Sequence, residues 1–275
     1  MDTLSLTCPV CGGALADGDK TLRCPAGHSF DMARQGYVNL LLRAQSGGRR
    51  HGDDKRMVDA RRAFLDTGRY APLRDALCAL AAEHTAGDVR MLDAGCGEGY
   101  YTAAVAAALR GAGRACSAVG VDISKTALIA AARRRADLTL AVASVSALPV
   151  GDGSTDLLLN VFAPESDREF ARVLRPGGVL LKAVPLERHL YGLKKAVYDR
   201  PYENPAPAYA PEHFTLLDRR DVCYTAVISP REMIENLFMM TPYYYKTGKD
   251  DQARLAALDS LETELAFAIL VFCRN

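Results

Sequence analysis

A chain of 275 residues with 49% hydrophobic and 24% charged residues has the proportions of a folded globular protein, which excludes a collagen, a coiled coil and a disordered chain. Thirty-four Lys and Arg stand against 33 Asp and Glu, a net charge of +1, so no global field gathers a polyanion and a nucleic-acid partner would need a local patch. The N-terminal MDTLSLTCPV has no basic region followed by a long apolar run, and no stretch reaches the ~18 uninterrupted apolar residues of a membrane span. The expectation is a cytoplasmic protein with no membrane partner.

In chain order, the first signal is a cysteine cluster. Cys8-Pro9-Val10-Cys11-Gly12-Gly13 and Cys24-Pro25-Ala26-Gly27-His28 form two tight knuckles, C-x2-C and C-x3-H, separated by a polar stretch, Ala16 to Lys20, that reads as a hairpin tip. Two residues between ligands let one turn aim both thiolates at a point, and four soft ligands with no open position describe a structural zinc site. Free thiols or a disulfide are the alternative. Cys78, Cys96, Cys116, Cys223 and Cys273 lie singly in apolar runs and read as small hydrophobes, and His51 and His84 read as solvated side chains.

Between Arg34 and Arg62, eight Lys and Arg (34, 43, 49, 50, 55, 56, 61 and 62) face three Asp (53, 54 and 59), a local excess of +5. The segment Ser46 to Asp54 has the composition of a loop, and the pattern Met57, Ala60, Phe64, Leu65 predicts a helix that stops at Gly68. Such a basic connector suits RNA phosphates, although a solvated linker has the same composition.

Val89 to Ala94 reads as an apolar strand entering the loop Gly95-Cys96-Gly97-Glu98-Gly99-Tyr100, which opens an alanine-rich helix. A dinucleotide fingerprint would place glycine where Tyr100 stands, so nicotinamide and flavin binding lose their main support. The pattern D-x-G-x-G-x-G from Asp93 instead resembles the first motif of class I S-adenosylmethionine-dependent methyltransferases. The next strand, Ala118 to Asp122, ends in a carboxylate placed to accept from both hydroxyls of an adenosine ribose. Further units follow: helix 125–135, strand 138–143, strand 156–162, helix 165–174, a turn at Arg175-Pro176-Gly177-Gly178, and strand 179–184. The last strands are expected within 216–228 and 266–272. This alternation predicts an α/β fold with a mostly parallel sheet covered on both faces, and Gly95, Asp122, Ser144 and Asn160 all fall at carboxyl ends of strands, where such sheets bind ligands.

The resemblance sharpens when the whole chain is considered. Beside the zinc knuckles stand Phe30-Asp31-Met32-Ala33-Arg34-Gln35-Gly36-Tyr37-Val38-Asn39, Ala60 to Leu73 with its Gly68-Arg69-Tyr70, Phe162-Ala163-Pro164, Arg188-His189-Leu190 and Met240-Thr241-Pro242. Together they resemble the 23S ribosomal RNA (guanine-N1)-methyltransferase family over nearly the full length. The resemblance implies a Rossmann-like class I methyltransferase with a seven-stranded, mostly parallel sheet, divided as a zinc-binding module (1–35), a basic connector and helix (36–70) and a methyltransferase domain (71–275). It implies structural zinc on Cys8, Cys11, Cys24 and His28. It implies a methyl donor held by Tyr70, Asp93, Gly95, Cys96, Gly97, Glu98, Gly99, Tyr100, Asp122, Ile123, Ser144 and His189, a 23S rRNA stem-loop as partner, and a homodimer.

Some amino-group methyltransferases carry N/D-P-P-Y/F at the end of the fourth strand, where this chain has Asn160-Val161-Phe162-Ala163-Pro164-Glu165. The departure disfavours an exocyclic amine as acceptor, while Phe162 can still stack on a base. Methylation at guanine N1 requires removal of a proton, for which Glu165 and Asp31 are candidates by residue type alone. Tyr243-Tyr244-Tyr245-Lys246 offers either stacking surface or core packing. A small-molecule methyltransferase, an RNA-binding assembly protein without turnover, and a role in resistance to tylosin-type macrolides are the competing readings.

Overall fold

The computed structural model describes residues 4–42, 52–134, 136–207, 209 and 211–275. At the N-terminus, β1 (Ala16–Asp17), β2 (Thr21–Arg23) and β3 (Ser29–Asp31) pair antiparallel into a small sheet; the hairpin tip expected over 16–20 is shorter, 18–20, because Ala16 and Asp17 pair with Arg23 and Leu22. After it come β4 (Tyr37–Asn39) and the helices α1 (Lys55–Asp66) and α2 (Ala71–His84). Asp54 caps α1, its Oδ1 accepting from Met57 N at 2.9 Å, and Pro72 sits in the first turn of α2, where its missing N–H costs nothing.

The strand–helix alternation then runs β5 (Val89–Ala94), α3 (Tyr100–Gly111), β6 (Cys116–Asp122), α4 (Lys125–Ala132), β7 (Thr139–Val142), β8 (Thr155–Val161), α5 (Asp167–Val173) and β9 (Leu174–Pro185). The chain continues through α6 (Tyr191–Val197), β10 (Phe214–Ile228), α7 (Arg231–Met239), α8 (Lys249–Ala256) and β11 (Leu261–Arg274). The large sheet has the order β10-β11-β9-β8-β5-β6-β7-β4. Strands β4 to β9 pair parallel within it, and β11 runs antiparallel to both β9 and β10.

The expected seven strands are therefore eight. The addition is β4, which lies in the stretch read as connector and pairs parallel with β7 in the register Tyr37↔Leu140. Three residues carry no readable period, and the edge of β7 supplies the ladder that makes them a strand. The Arg175–Gly178 turn is drawn into β9, with a register shift where Thr155 and Leu157 of β8 meet it. Gly178 is needed there, because a Cβ would lie 2.8 Å from the Arg175 carbonyl oxygen.

One face of the sheet buries Phe64, Leu73, Leu77, Leu80, Leu157, Leu159 and Phe267. The other buries Leu92, Val119, Leu158, Phe170 and Leu180 together with Leu4, Leu6, Leu22, Val38 and Leu40. The leucines of the N-terminal module thus share a core with the large sheet, each worth roughly 1.5–3 kcal/mol of burial. Backbone contacts reinforce the contact: Leu4 N donates to Ser117 Oγ at 3.0 Å and Thr7 N to Pro149 O at 2.8 Å. Among the described residues no helix is long and apolar enough to cross a membrane.

Candidate active site and metal centre

The two cysteine knuckles close on each other. Gly12 N donates to Cys8 O at 2.8 Å and Gly27 N to Cys24 O at 2.9 Å, turns that bring Cys8, Cys11, Cys24 and His28 together with all ligand atoms within 4.8 Å of one another. Cys11 Sγ to Cys24 Sγ is 3.6 Å, Cys8 Sγ to His28 Nδ1 3.6 Å and Cys24 Sγ to His28 Nδ1 3.3 Å. A tetrahedron with Zn–S of about 2.3 Å has S···S edges of about 3.8 Å, so the four donors already stand near the corners that zinc requires.

The second site lies at the carboxyl ends of β5, β6, β8 and β9. There a cavity of about 930 Å³ opens, and eleven of the twelve residues expected to hold the methyl donor line it: Tyr70, Asp93, Gly95, Cys96, Gly97, Glu98, Tyr100, Asp122, Ile123, Ser144 and His189. Gly99 stands behind the wall as the N-cap of α3, with φ +79°; a Cβ there would lie 3.1 Å from that of Ala131, so the glycine lets α3 approach α4. Gly95 is under the tightest constraint: at φ +95°, a Cβ added to it would meet Ala163 Cβ at 2.3 Å, so only glycine lets the β5 loop lie against the segment after β8.

Electrostatics inside the cavity is set by burial. Asp122 accepts from Gly97 N at 2.9 Å and Ser124 N at 2.8 Å, leaving further lone-pair sites on the two carboxylate oxygens, and burial raises its carboxyl above the usual range. Asp93 is 2% exposed; its Oδ2 accepts from Thr102 Oγ1 at 2.5 Å, and burial pushes its carboxyl up to about 7. Burial also pushes Glu98 up to about 6, against the opposing pull of Arg134, which donates to its Oε2. Four buried side-chain polar atoms lack a partner among the described residues, and three of them, Asp93 Oδ1, Glu98 Oε1 and Tyr101 Oη, belong to residues of this cavity's wall. Buried orphans of this kind fit a polar ligand.

His189 sits at the far wall, 7% exposed. Ala266 N donates to its Nδ1 at 3.3 Å, so the neutral ring carries its proton on Nε2 and donates to Tyr70 Oη at 3.4 Å, freeing the Tyr70 hydroxyl hydrogen for another acceptor. Burial, helped by the Lys194 charge, holds the ring's pKa down at about 3.

Several wall residues escape a reading of the sequence. Asp53, Met57 and Arg61 close one side, where Ser124 Oγ donates to Asp53 O at 2.8 Å. Phe162, at φ +53° and 45% exposed, lines the other side with Pro164 and Lys182. A single lysine inside the apolar run Val179–Val184 is the one sequence signal that marks Lys182. The tyrosines divide: Tyr243 lines the cavity and donates to Asn204 Oδ1 at 3.1 Å, Tyr244 packs on Phe238, and Tyr245 is exposed.

The connector is less basic in effect than its count. Lys55 pairs with Asp59, Arg61 with Asp53, and Arg62 with Asp66 at 3.6 Å, while Arg34 and Arg56 are exposed. Arg43, Arg49, Arg50 and His51 lie outside the described residues. Of the two carboxylates considered for proton removal, Asp31 lies on β3 in the zinc module, away from the cavity wall, and Glu165 follows the wall residue Pro164 and pairs with Lys182 Nζ at 2.7 Å.

Residues 91–178 match the family model described as a methyltransferase domain, and 6–45 match the zinc-ribbon model described as RlmA, N-terminal. Fold, glycine loop and acidic strand end define the class: a class I S-adenosylmethionine-dependent methyltransferase with an N-terminal zinc ribbon. A 23S rRNA (guanine(748)-N(1))-methyltransferase of Streptomyces fradiae is 35% identical over 98% of this chain and 96% of its own length. A Bacillus subtilis (strain 168) protein named "Putative 23S rRNA (guanine-N(1)-)-methyltransferase YxjB" is 31% identical over 98% of both. The chain belongs to the 23S rRNA (guanine-N1)-methyltransferase family. Among solved structures, YcgJ of B. subtilis superposes with a TM-score of 0.49 at 16% identity, covering 73% of this chain and 98% of that one.

Proposed function

We propose that the protein transfers a methyl group from S-adenosylmethionine to N1 of a specific guanine in a 23S rRNA stem-loop, in the cytoplasm. The observation that carries this reading is the single cavity that runs from the glycine loop after β5 to Phe162, Pro164 and Lys182 at the ends of β8 and β9. A donor cradle and an acceptor platform share one chamber.

S-adenosylmethionine supplies an electrophilic methyl group on a positively charged sulfur. The remaining lone pairs of Asp122 suit the two ribose hydroxyls, and the orphan Oδ1 of Asp93 suits a cationic amino group. The hydroxyl of Tyr70, oriented by His189, suits a carboxylate. Ile123, Ser144 and the loop from Gly95 to Tyr100 complete the cradle. Phe162 provides a ring on which an unstacked guanine can lie, and its position beyond the cradle is where the acceptor must enter.

The choice of a ring nitrogen over an exocyclic amine is supported by Asn160. Its Nδ2 donates to Ala94 O and Pro164 O, both at 3.0 Å, its Oδ1 accepts from Lys182 Nζ at 3.0 Å, and the residue is fully buried behind the cavity wall, so it is not placed to grip an amino group. The zinc module is the docking element for the stem-loop, assisted by the cations of the connector. The homodimer implied by the family resemblance is tested by light scattering of the purified protein.

A methyl group at N1 occupies the Watson–Crick edge. Reverse transcriptase should stall one nucleotide before the modified guanine in 23S rRNA treated with protein and donor, and read through with donor alone. Methylation of a free metabolite without an rRNA stop would replace this reading by a small-molecule one, and donor binding without turnover by an assembly role.

A further inference from the structure

A lysine inside a parallel strand needs a reason, because burying an ammonium costs several kcal/mol that an apolar side chain would not incur. Lys182 is 4% exposed and stands in register with Asn160 of the neighbouring strand. Its Nζ donates to Asn160 Oδ1 at 3.0 Å, pairs with Glu165 Oε2 at 2.7 Å and lies 4.3 Å from the centre of the Tyr209 ring. The amide of Asn160 has a single workable orientation, because its Nδ2 is committed to the Ala94 and Pro164 carbonyls; its Oδ1 therefore faces the ammonium and fixes it. Glu165 differs from its partner in being 52% exposed along its side chain. The pair stands where β8 and β9 end, on the Phe162 side of the cavity, with Lys182 in the wall itself.

We propose that Lys182 and Glu165 recognise and deprotonate the guanine, an inference that rests on the methyl-transfer reading above. The Watson–Crick edge of guanine sets the acceptor O6 beside the donor N1–H. An ammonium and a carboxylate held side by side complement that order, and adenine, with a donor at N6 and an acceptor at N1, reverses it. In the reaction the N1–H bond breaks and its proton passes to the Glu165 carboxylate. The electron pair left on N1 forms the new bond to the methyl carbon, and the carbon–sulfur bond breaks with its pair retained on sulfur. Lys182 balances the negative charge that spreads onto O6 as N1–H is lost. Glu165, half open to solvent, then releases the proton to water. Asn160 is a positioning residue for Lys182. Among the described residues, Tyr209 faces both members of the pair, and its Oη is engaged elsewhere, donating to Asp167 Oδ1 at 2.6 Å.

The test uses the zinc-loaded full chain, S-adenosylmethionine and a 23S rRNA stem-loop transcript in single-turnover methyl transfer, with binding of S-adenosylhomocysteine measured by calorimetry. Glu165→Gln should slow transfer by about 100-fold or more while donor affinity stays within about twofold. Its residual rate should climb about tenfold per pH unit between roughly pH 6 and 8.5, because hydroxide then takes the proton, whereas the parent's rate should level off. Lys182→Met should slow transfer comparably, and Lys182→Arg, which keeps a donor for O6, should recover part of the rate. Since Lys182 is buried, circular dichroism accompanies those variants, and the half-exposed Glu165 keeps the inference open to refutation if they unfold. A Glu165→Gln protein that transfers within threefold of the parent with an unchanged pH profile overturns the assignment and leaves the methyl-transfer reading standing. A parent protein that leaves the rRNA unmethylated overturns both.

Discussion

Replacing Asp122 by alanine tests the cofactor placement at its most constrained point. The carboxylate is anchored by two backbone donors, Gly97 N and Ser124 N, and has acceptor capacity left for two ribose hydroxyls. Charge-assisted hydrogen bonds are worth about 1.5–3 kcal/mol each. Part of their loss is offset because water can take the place of the missing carboxylate and bridge to the ribose hydroxyls. The net expectation is about 3 kcal/mol, a Kd weaker by a factor on the order of 10². Calorimetric titration with S-adenosylhomocysteine reads this directly. Thermal denaturation gives an independent measure: a ligand at about 100 times the parent's Kd stabilises the parent by roughly 2.7 kcal/mol and the variant by only about 0.4 kcal/mol. Parental affinity in Asp122→Ala would place the cofactor somewhere other than the β5–β6 end of the cavity.

Five further outcomes are expected. Asp93 has its carboxyl raised to about 7, above its unfolded value, so the stability it contributes is complete at low pH and is lost as pH rises toward about 7; Asp93→Asn should flatten that decline in apo-protein melting temperature, and an unchanged slope would refute the assignment. His189, lowered to about 3, has the opposite sign: its contribution is present above the unfolded pKa of about 6.5 and is lost as pH falls toward 3, so His189→Phe should melt with less acid sensitivity over that window. Phe162→Ala should weaken engagement of the RNA target by about 1–3 kcal/mol, seen as slower single-turnover transfer at subsaturating RNA, with donor affinity unchanged. Chelation of zinc should expose residues 8–31 to protease while 71–275 stays resistant, and joint neutralisation of Arg49, Arg50, Lys55 and Arg56 should lower the salt slope of RNA binding by at most about one per lost phosphate contact.

Much of this protein is written in local spacing. The knuckles at Cys8, Cys11, Cys24 and His28 announce a closed metal site because a turn of two or three residues is itself the geometry that converges the donors. The Asp93–Gly99 loop and the terminal Asp122 mark one end of the cavity for a similar reason: a strand, a tight turn and a helix start are contiguous, so sequence order is spatial order. What only the tertiary structure decided depends on residues that meet across the fold. Lys182 and Glu165 are 17 positions apart and belong to different strand–loop units, and the parallel pairing of β8 with β9 brings them to one ion pair. Tyr70 and His189, 119 positions apart, touch because α2 and the segment after β9 converge on the same wall. Strand β4 exists because the β7 edge offers it a ladder, and Asp53 and Arg61 line the cavity because α1 packs beside α4. Periodicity reports which face of an element is buried, but the identity of the partner across that face is set by the pairing of distant segments, which no local window contains.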